Sequence, residues 1–127
     1  QNIYTKDIYS GIVGKGACLN GSSITVSERR PNSESILVTG FPSGRNYDTQ
    51  SLSKFVKHVQ TYKKVRMLGC ASLMIAMVAS GKFDAYEEED IYLWDVAAGL
   101  AIVEAAGGGS SYQMNNHPFK LTVRAFN

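Results

Sequence analysis

The sequence predicts an α/β domain preceded by a small antiparallel β meander, and three observations carry that expectation. From residue 35 onward, strand-like and helix-like segments alternate, the pattern of a sheet built with sequential crossovers. Up to Ser27 the β-prone pieces are short and split by glycine turns, which suits only a meander. Between the two lies "ERRPNSES", a polar stretch around Pro31 that reads as a linker.

In the meander, Ile3 to Thr5, Ile8 to Val13 and Ile24 to Val26 are the strand candidates, joined by Lys-Asp and Asn-Gly turns. "ILVTG" is a continuous apolar run closed by glycine, the mark of a strand buried on both faces. A loop rich in Pro, Ser, Gly and Asn follows. Residues 48 to 62 then place Leu52, Phe55, Val56, Val59 and Tyr62 at helical spacing, with Asp48 as the cap. The other face of that helix, with Lys54, Lys57 and His58, reads as a solvated face or an anion site. Val65 to Leu68 make a short strand, "CASLMIAMVAS" a helix by its Ala and Met content, and Gly81 its C-terminal cap. Asp84 to Glu88 is a strand, Asp95 to Ala106 a helix, and Gly107 to Gly109 its exit. Closing strands are expected near Ser110 to Tyr112 and Leu121 to Ala125.

The totals bound the function classes. A chain of 127 residues with 44% hydrophobic content has the size and apolar surface of one ordinary domain. Thirteen basic and eleven acidic residues leave a formal charge of +2, so no global field favours nucleic acid or anionic lipid. The longest uncharged runs, Met67 to Gly81 and the stretches flanking Asp95, fall short of the roughly 18 to 20 apolar residues of a membrane span. Cys18 and Cys70 lie far apart without metal-ligand spacing. A soluble, cytoplasmic protein is therefore expected. Gln1 reads as an interior residue of something longer, and no targeting segment is visible.

Ligands of open α/β sheets gather beyond the carboxyl ends of strands, at helix N-termini. Two junctions have that form, Leu68-Gly69-Cys70-Ala71 and Leu93-Trp94-Asp95-Val96. Asp95 reads as a helix cap or, because the small residues after it suggest a buried helix start, as a carboxylate partnered by a cation. Hard oxygen ligands there suit Mg2+ better than zinc. The run Glu87 to Asp90 reads as a solvated acidic turn, or as a group that attracts cations or accepts hydrogen bonds from a polyol, with Glu88 facing the crevice. Gly69 is a turn glycine or a point of close ligand approach, where the N–H groups of Cys70 and Ala71 could donate to an oxygen-rich substrate. Trp94 reads as core. Gly-x-Ser-x-Gly and Walker-type loops do not occur.

Four segments, "GKGACLNG", "TGFP", "LGCASLMIAMVASGKFDAYEE" and "WDVAAGLAIVEAAGG", together with the final "VRAFN", resemble the inositol monophosphatase family of Mg2+-dependent phosphatases, in family order. The resemblance implies the C-terminal α/β layer of the family's αβαβα sandwich over residues 31–127, with residues 1–30 as the last strands of the N-terminal sheet domain. It further implies that Asp95 binds catalytic metal and that Glu88 holds substrate hydroxyls. Gly69, Cys70 and Ala71 would then form the substrate rim, with Cys70 replacing the family's usual hydroxyl residue. The implied chemistry is hydrolysis of a phosphate monoester, with Mg2+ as cofactor and a phosphorylated polyol or sugar as substrate.

The family's upstream ligand motif Asp-x-x-Asp-Gly is absent, so the chain by itself is expected to be inactive, or nearly so, and to lack an N-terminal half. The resemblance also implies a homodimer for the complete protein. Alternatives within the fold are a bisphosphate nucleotidase or a fructose bisphosphatase relative. An alternative of another class is a non-catalytic interaction module.

Overall fold

The computed structural model describes residues 1–42, 44 and 47–127. The meander forms as β1 (Tyr9–Ile12), β2 (Gly16–Leu19) and β3 (Ser22–Ile24), an antiparallel sheet in that order. Asn20 and Gly21 have φ of 53° and 82°, the two consecutive positive values that a tight hairpin turn of right-twisted strands requires. The strand expected at Ile3 to Thr5 is instead a turn. There the Asn2 side chain accepts the Tyr4 N–H at 3.0 Å, and a local side-chain bond of this kind competes directly with strand pairing. The middle strand β2, hidden in the sequence between two glycine breaks, is an addition to the expected set.

The α/β part contains β4 (Ile36–Thr39), α1 (Thr49–Thr61), β5 (Lys64–Arg66), α2 (Ala71–Ala79), β6 (Ala85–Tyr92), α3 (Leu93–Ala105), β7 (Gly109–Met114) and β8 (Lys120–Phe126). Residues 43, 45 and 46 of the loop expected before α1 lie outside the described residues. The five-stranded sheet has the order β5-β4-β6-β8-β7. β4 runs parallel to β5 and β6, whereas β8 is antiparallel to β6 and β7. The crossovers therefore continue through α3, which carries the chain from β6 to a parallel β7, and only β8 departs from them. The short connection at residues 115–119 leaves no room for a crossover helix, so β7 and β8 close as a hairpin.

Strand alternation sorts the core. Val38, Tyr86, Val123 and Ala125 point to the face covered by α2 and α3, where they meet Met74, Ile75, Val78, Val96 and Val103. Leu37 and Ala85, one residue out of phase, point to the other face and meet Tyr62 at the end of α1. Each fully buried side chain of this kind contributes about 1.5–3 kcal/mol of transfer free energy. On its far side α3 packs against β1 and β2, so the helical layer lies between the large sheet and the meander. Gly99 is the point of closest approach of α2 and α3: a Cβ there would stand 2.8 Å from Ile75 Cγ2.

Two expectations about helix faces change. Asp48 caps α1 as expected, accepting the Ser51 N–H at 2.8 Å. The helix is rotated, however, relative to its apolar stripe. Val56 and Val59 are exposed, while Lys54 and His58, expected on a solvated face, turn toward β6. Lys54 Nζ lies 3.1 Å from Glu87 and 2.8 Å from Glu89, and His58 Nε2 lies 3.7 Å from Glu87. Ion pairing, which helical periodicity does not show, thus accompanies the rotation. No helix among the described residues is long and apolar enough to cross a membrane.

Candidate active site

The carboxyl ends of the parallel strands converge on a cleft of about 440 Å3, lined from four places in the chain: Gly40 and Phe41 after β4, Met67, Gly69 and Cys70 after β5 with Ala71, Ser72 and Met74 of α2, Glu88 and Ile91 on β6, and Asp95 on α3. This is where an open α/β sheet places a ligand. All five residues singled out from the sequence (Gly69, Cys70, Ala71, Glu88 and Asp95) line this one cavity.

Asp95 differs from expectation in its local role. α3 begins at Leu93, with extended Tyr92 as the cap residue and no side-chain capping bond, so Asp95 sits in the first turn rather than at the cap. The helix start is also less buried than its small residues suggested. Leu93 and Trp94 are exposed, and Trp94, expected in the core, lies at the surface stacked on Tyr92 with ring centroids 4.5 Å apart. The Asp95 carboxylate itself is half-buried, and among the described residues it has no hydrogen-bond or salt-bridge partner. Its position in the first turn puts it near the positive end of the helix dipole.

The acidic run is neither a turn nor a diffuse cluster. It lies in β6, where alternation and an irregularity between Glu88 and Ile91 send its members in different directions. Glu87 and Glu89 face α1. Asp90, at φ 60°, receives Lys120 at 2.9 Å and Asn115 at 3.2 Å. Glu88 alone enters the cleft, 7% exposed, and accepts the Tyr86 hydroxyl at 2.9 Å. Burial pushes the Glu88 carboxyl above its usual range; the Tyr86 bond opposes this, and the nearby Asp95 charge adds to it.

Opposite the two carboxylates stands the start of α2. Gly69 has φ +73°, a left-handed conformation that glycine adopts without strain, with open space where a side chain would be. Cys70 is the extended cap residue and makes no side-chain capping bond; its sulfur lies 3.5 Å from Ser72 Oγ. The first-turn N–H groups of α2 therefore lack a side-chain acceptor and are available to an anion. Carboxylates that can face a cation or a hydroxyl thus share a cavity with a helix N-terminus that can face phosphate.

Among the described residues no group of three or more His, Cys, Asp or Glu could hold a metal ion. Asp95 fits a cation as one hard ligand, with the rest of its shell to come from elsewhere. Sequence reasoning overlooked Gly40, which lines the cleft, and Tyr86, which holds Glu88 from the core behind it. Tyr86 was within reach of it, since two residues along a strand share a face.

The chain matches the model of the Inositol monophosphatase family over residues 1–125. It is 36% identical over 111 residues to the Inositol-1-monophosphatase of Rhizobium meliloti, covering 87% of this chain and 42% of that protein. It is 38% identical over 109 residues to the Nus factor SuhB of Pseudomonas aeruginosa, covering 84% and 40%. The structure of an inositol monophosphatase from Anabaena superposes with a TM-score of 0.83 at 32% identity, covering 95% of this chain and 49% of that one. The chain thus spans less than half the length of the relatives it matches. With one profile spanning meander, sheet and cleft together, it belongs to the inositol monophosphatase family.

Proposed function

We propose that this chain is the substrate-rim portion of a Mg2+-dependent phosphate monoester hydrolase, acting on an inositol phosphate or a related sugar or polyol phosphate. The observation that carries the reading is the shared cleft, in which half-buried Asp95, buried Glu88 and the uncapped start of α2 meet. Asp95 would hold the metal, Glu88 would accept a ring hydroxyl, and the Gly69-Cys70-Ala71 turn would line the rim beside the phosphate. Bound at such a site, Mg2+ supplies an activated water and neutralises charge developing on the phosphate and the leaving oxygen. The chain's own part is to orient the polyol and to place one carboxylate at the metal.

One carboxylate does not complete an octahedral shell, so the reading includes an N-terminal half that brings the remaining ligands, and little activity for the isolated chain. In this reading residues 1–30 are the end of the upstream sheet. Its support is apolar surface with no cover here: Ile3, Tyr4, Ile8, Ile12 and Val13 are each more than half exposed. A mostly apolar groove of about 550 Å3 also runs between residues 1–9 and helices α2 and α3. The exposed rings of Trp94 and Phe119, with half-buried Tyr92 stacked on Trp94, offer a surface for the homodimer proposed for the complete protein. The free thiols of Cys18 and Cys70 suit the proposed cytoplasmic setting.

The test uses the full-length protein. Asp95→Asn should lower turnover of a polyol phosphate at least about 100-fold at saturating Mg2+, and chelation should abolish turnover in the wild type. Turnover untouched by either treatment would sink the metal-hydrolase reading. The 127-residue chain, inactive alone, should regain activity when the upstream half is added in trans. A second reading, an interaction module, draws on the relative named as a Nus factor; it gains if the full-length protein binds Mg2+ yet hydrolyses no phosphate monoester.

A further inference from the structure

Glu88 is gripped from two sides by groups to which the proposed chemistry gives no part. Tyr86, wholly buried and two residues earlier on the same face of β6, donates its hydroxyl to Glu88 Oε2 at 2.9 Å. Beside it, just past the end of the neighbouring strand β4, Gly40 lies so close that a Cβ there would stand 2.5 Å from Oε2 and 2.9 Å from Oε1. Real Cβ atoms do not approach that closely, so backbone and phenol together leave the carboxylate a single seat. Burial, and after it the Glu88 charge, holds the phenol far above its ordinary ionisation range, so Tyr86 remains a donor wherever the protein is folded.

The second oxygen is treated differently. Oε1 has no hydrogen-bond partner among the described residues, and Arg124 Nε is the one fully enclosed polar side-chain atom among them that lacks a partner. Oε1 must therefore reach the open cleft. A carboxylate with one oxygen tied and the other presented is a directional acceptor for a hydroxyl.

We propose that Tyr86 is a positioning residue: by engaging Glu88 Oε2 it aims Oε1 at one hydroxyl of the polyol, with Gly40 as the backstop that keeps the carboxylate in place. The proposal rests on the reading of the substrate as a phosphorylated polyol. Tyr86→Phe removes the tether but keeps the ring in the core, and Gly40→Ala displaces the carboxylate from the cleft side without touching the core.

The experiment compares two phosphate monoesters in the full-length protein, inositol monophosphate and nitrophenyl phosphate, the second lacking any hydroxyl for Glu88. For Tyr86→Phe and for Gly40→Ala, KM for the inositol ester should rise about tenfold more than KM for the nitrophenyl ester, with kcat for the two falling by the same factor. In a Glu88→Gln background Tyr86→Phe should add nothing to that discrimination. A loss shared equally by both substrates, or one that survives in the Glu88→Gln background, would make Tyr86 a core residue only and overturn the proposal. Failure of the wild type to hydrolyse either ester would instead bring down the underlying phosphatase reading, and the Tyr86 proposal with it. In the full-length protein, the Tyr86 hydroxyl proton should be slow to exchange and should shift in Glu88→Gln; an unmoved resonance would overturn the tether independently of activity.

Discussion

The two ends of β6 treat a buried carboxylate in opposite ways. At the entry, Asp84 is completely enclosed and saturated: Ser27 Oγ and Arg29 Nε donate to one oxygen, the latter at 2.8 Å, and the Ile36 N–H donates to the other at 2.6 Å. At the exit, Glu88 has one donor and Asp95 has none among the described residues. Burial by itself would raise the Asp84 carboxyl, but its three hydrogen bonds and the Arg29 charge outweigh that and hold it below the usual range. Glu88 is pushed the other way, chiefly by burial. One strand thus carries a carboxylate that ties the linker to the sheet at one end, and at the other a carboxylate whose bonding capacity remains for something outside the chain. Acceptor capacity left open at the wall of a cleft is what a ligand can use.

The largest break in this comparison comes from Asp84→Asn. The amide cannot accept from all three donors, and Arg29 loses its counter-charge, so urea unfolding of the chain should lose about 2–3 kcal/mol at neutral pH. The sign of the pH dependence follows from the lowered carboxyl. Its stabilisation is complete above the unfolded value of about 3.9 and disappears as pH falls through the lower folded value, so the variant should have a flatter acid limb than the wild type. An acid limb of unchanged slope would show that Asp84 is not the group that acid removes.

Glu88→Gln sharpens the comparison because its sign is reversed. A folded carboxyl above the unfolded value of about 4.3 favours the protonated form, so its contribution falls as pH rises from the unfolded to the folded value. The amide oxygen can still accept from Tyr86 and carries no charge to bury. Unfolding at neutral pH should therefore become harder by about 0.5–1 kcal/mol, with the gain vanishing below about pH 4, while polyol recognition is lost. A destabilised Glu88→Gln would place the two ends of β6 in one class and remove the case for an exit held open for ligand.

The local parts of this design were legible in the sequence. Asn20-Gly21, the apolar run at Ile36–Thr39, and the Gly69 and Asp95 junctions each carry their chemistry within a few residues, and the structure puts the junctions in one cleft. What stayed hidden depends on residues far apart in the chain. The donors to Asp84 come from positions 55 to 57 residues earlier and from Ile36, and no local pattern announces them. The same holds for α1, where an apolar stripe predicted one buried face and partners more than thirty residues away selected another. The antiparallel closing hairpin was missed as well, because alternation of elements does not specify strand direction.

That rotation of α1 gives the smallest test, on the face of β6 opposite the cleft. Lys54 bridges Glu87 and Glu89, and although burial works against its charge, the hydrogen bonds it donates to Glu89 and Glu87 outweigh this and hold the ammonium above the ordinary lysine value. Its side chain is still 40% exposed, so solvent and salt screen the pairs and Lys54→Met should cost only about 0.5 kcal/mol. The cost should shrink further in about 1 M salt, where screening operates within roughly 3 Å. Arg124 also faces Glu87, at 4.0 Å, so removal of Lys54 leaves that carboxylate one cationic neighbour while Glu89 loses the 2.8 Å contact; His58, at 3.7 Å, is held below its usual range by burial and adds a neutral imidazole. The change lies across the sheet from Glu88 and Asp95, so it should leave the ratio of KM values for polyol and nitrophenyl esters where it was. A shift in that ratio would mean that the two faces of β6 are mechanically coupled, and that the carboxylates toward α1 help to set the direction of Glu88 toward the cleft.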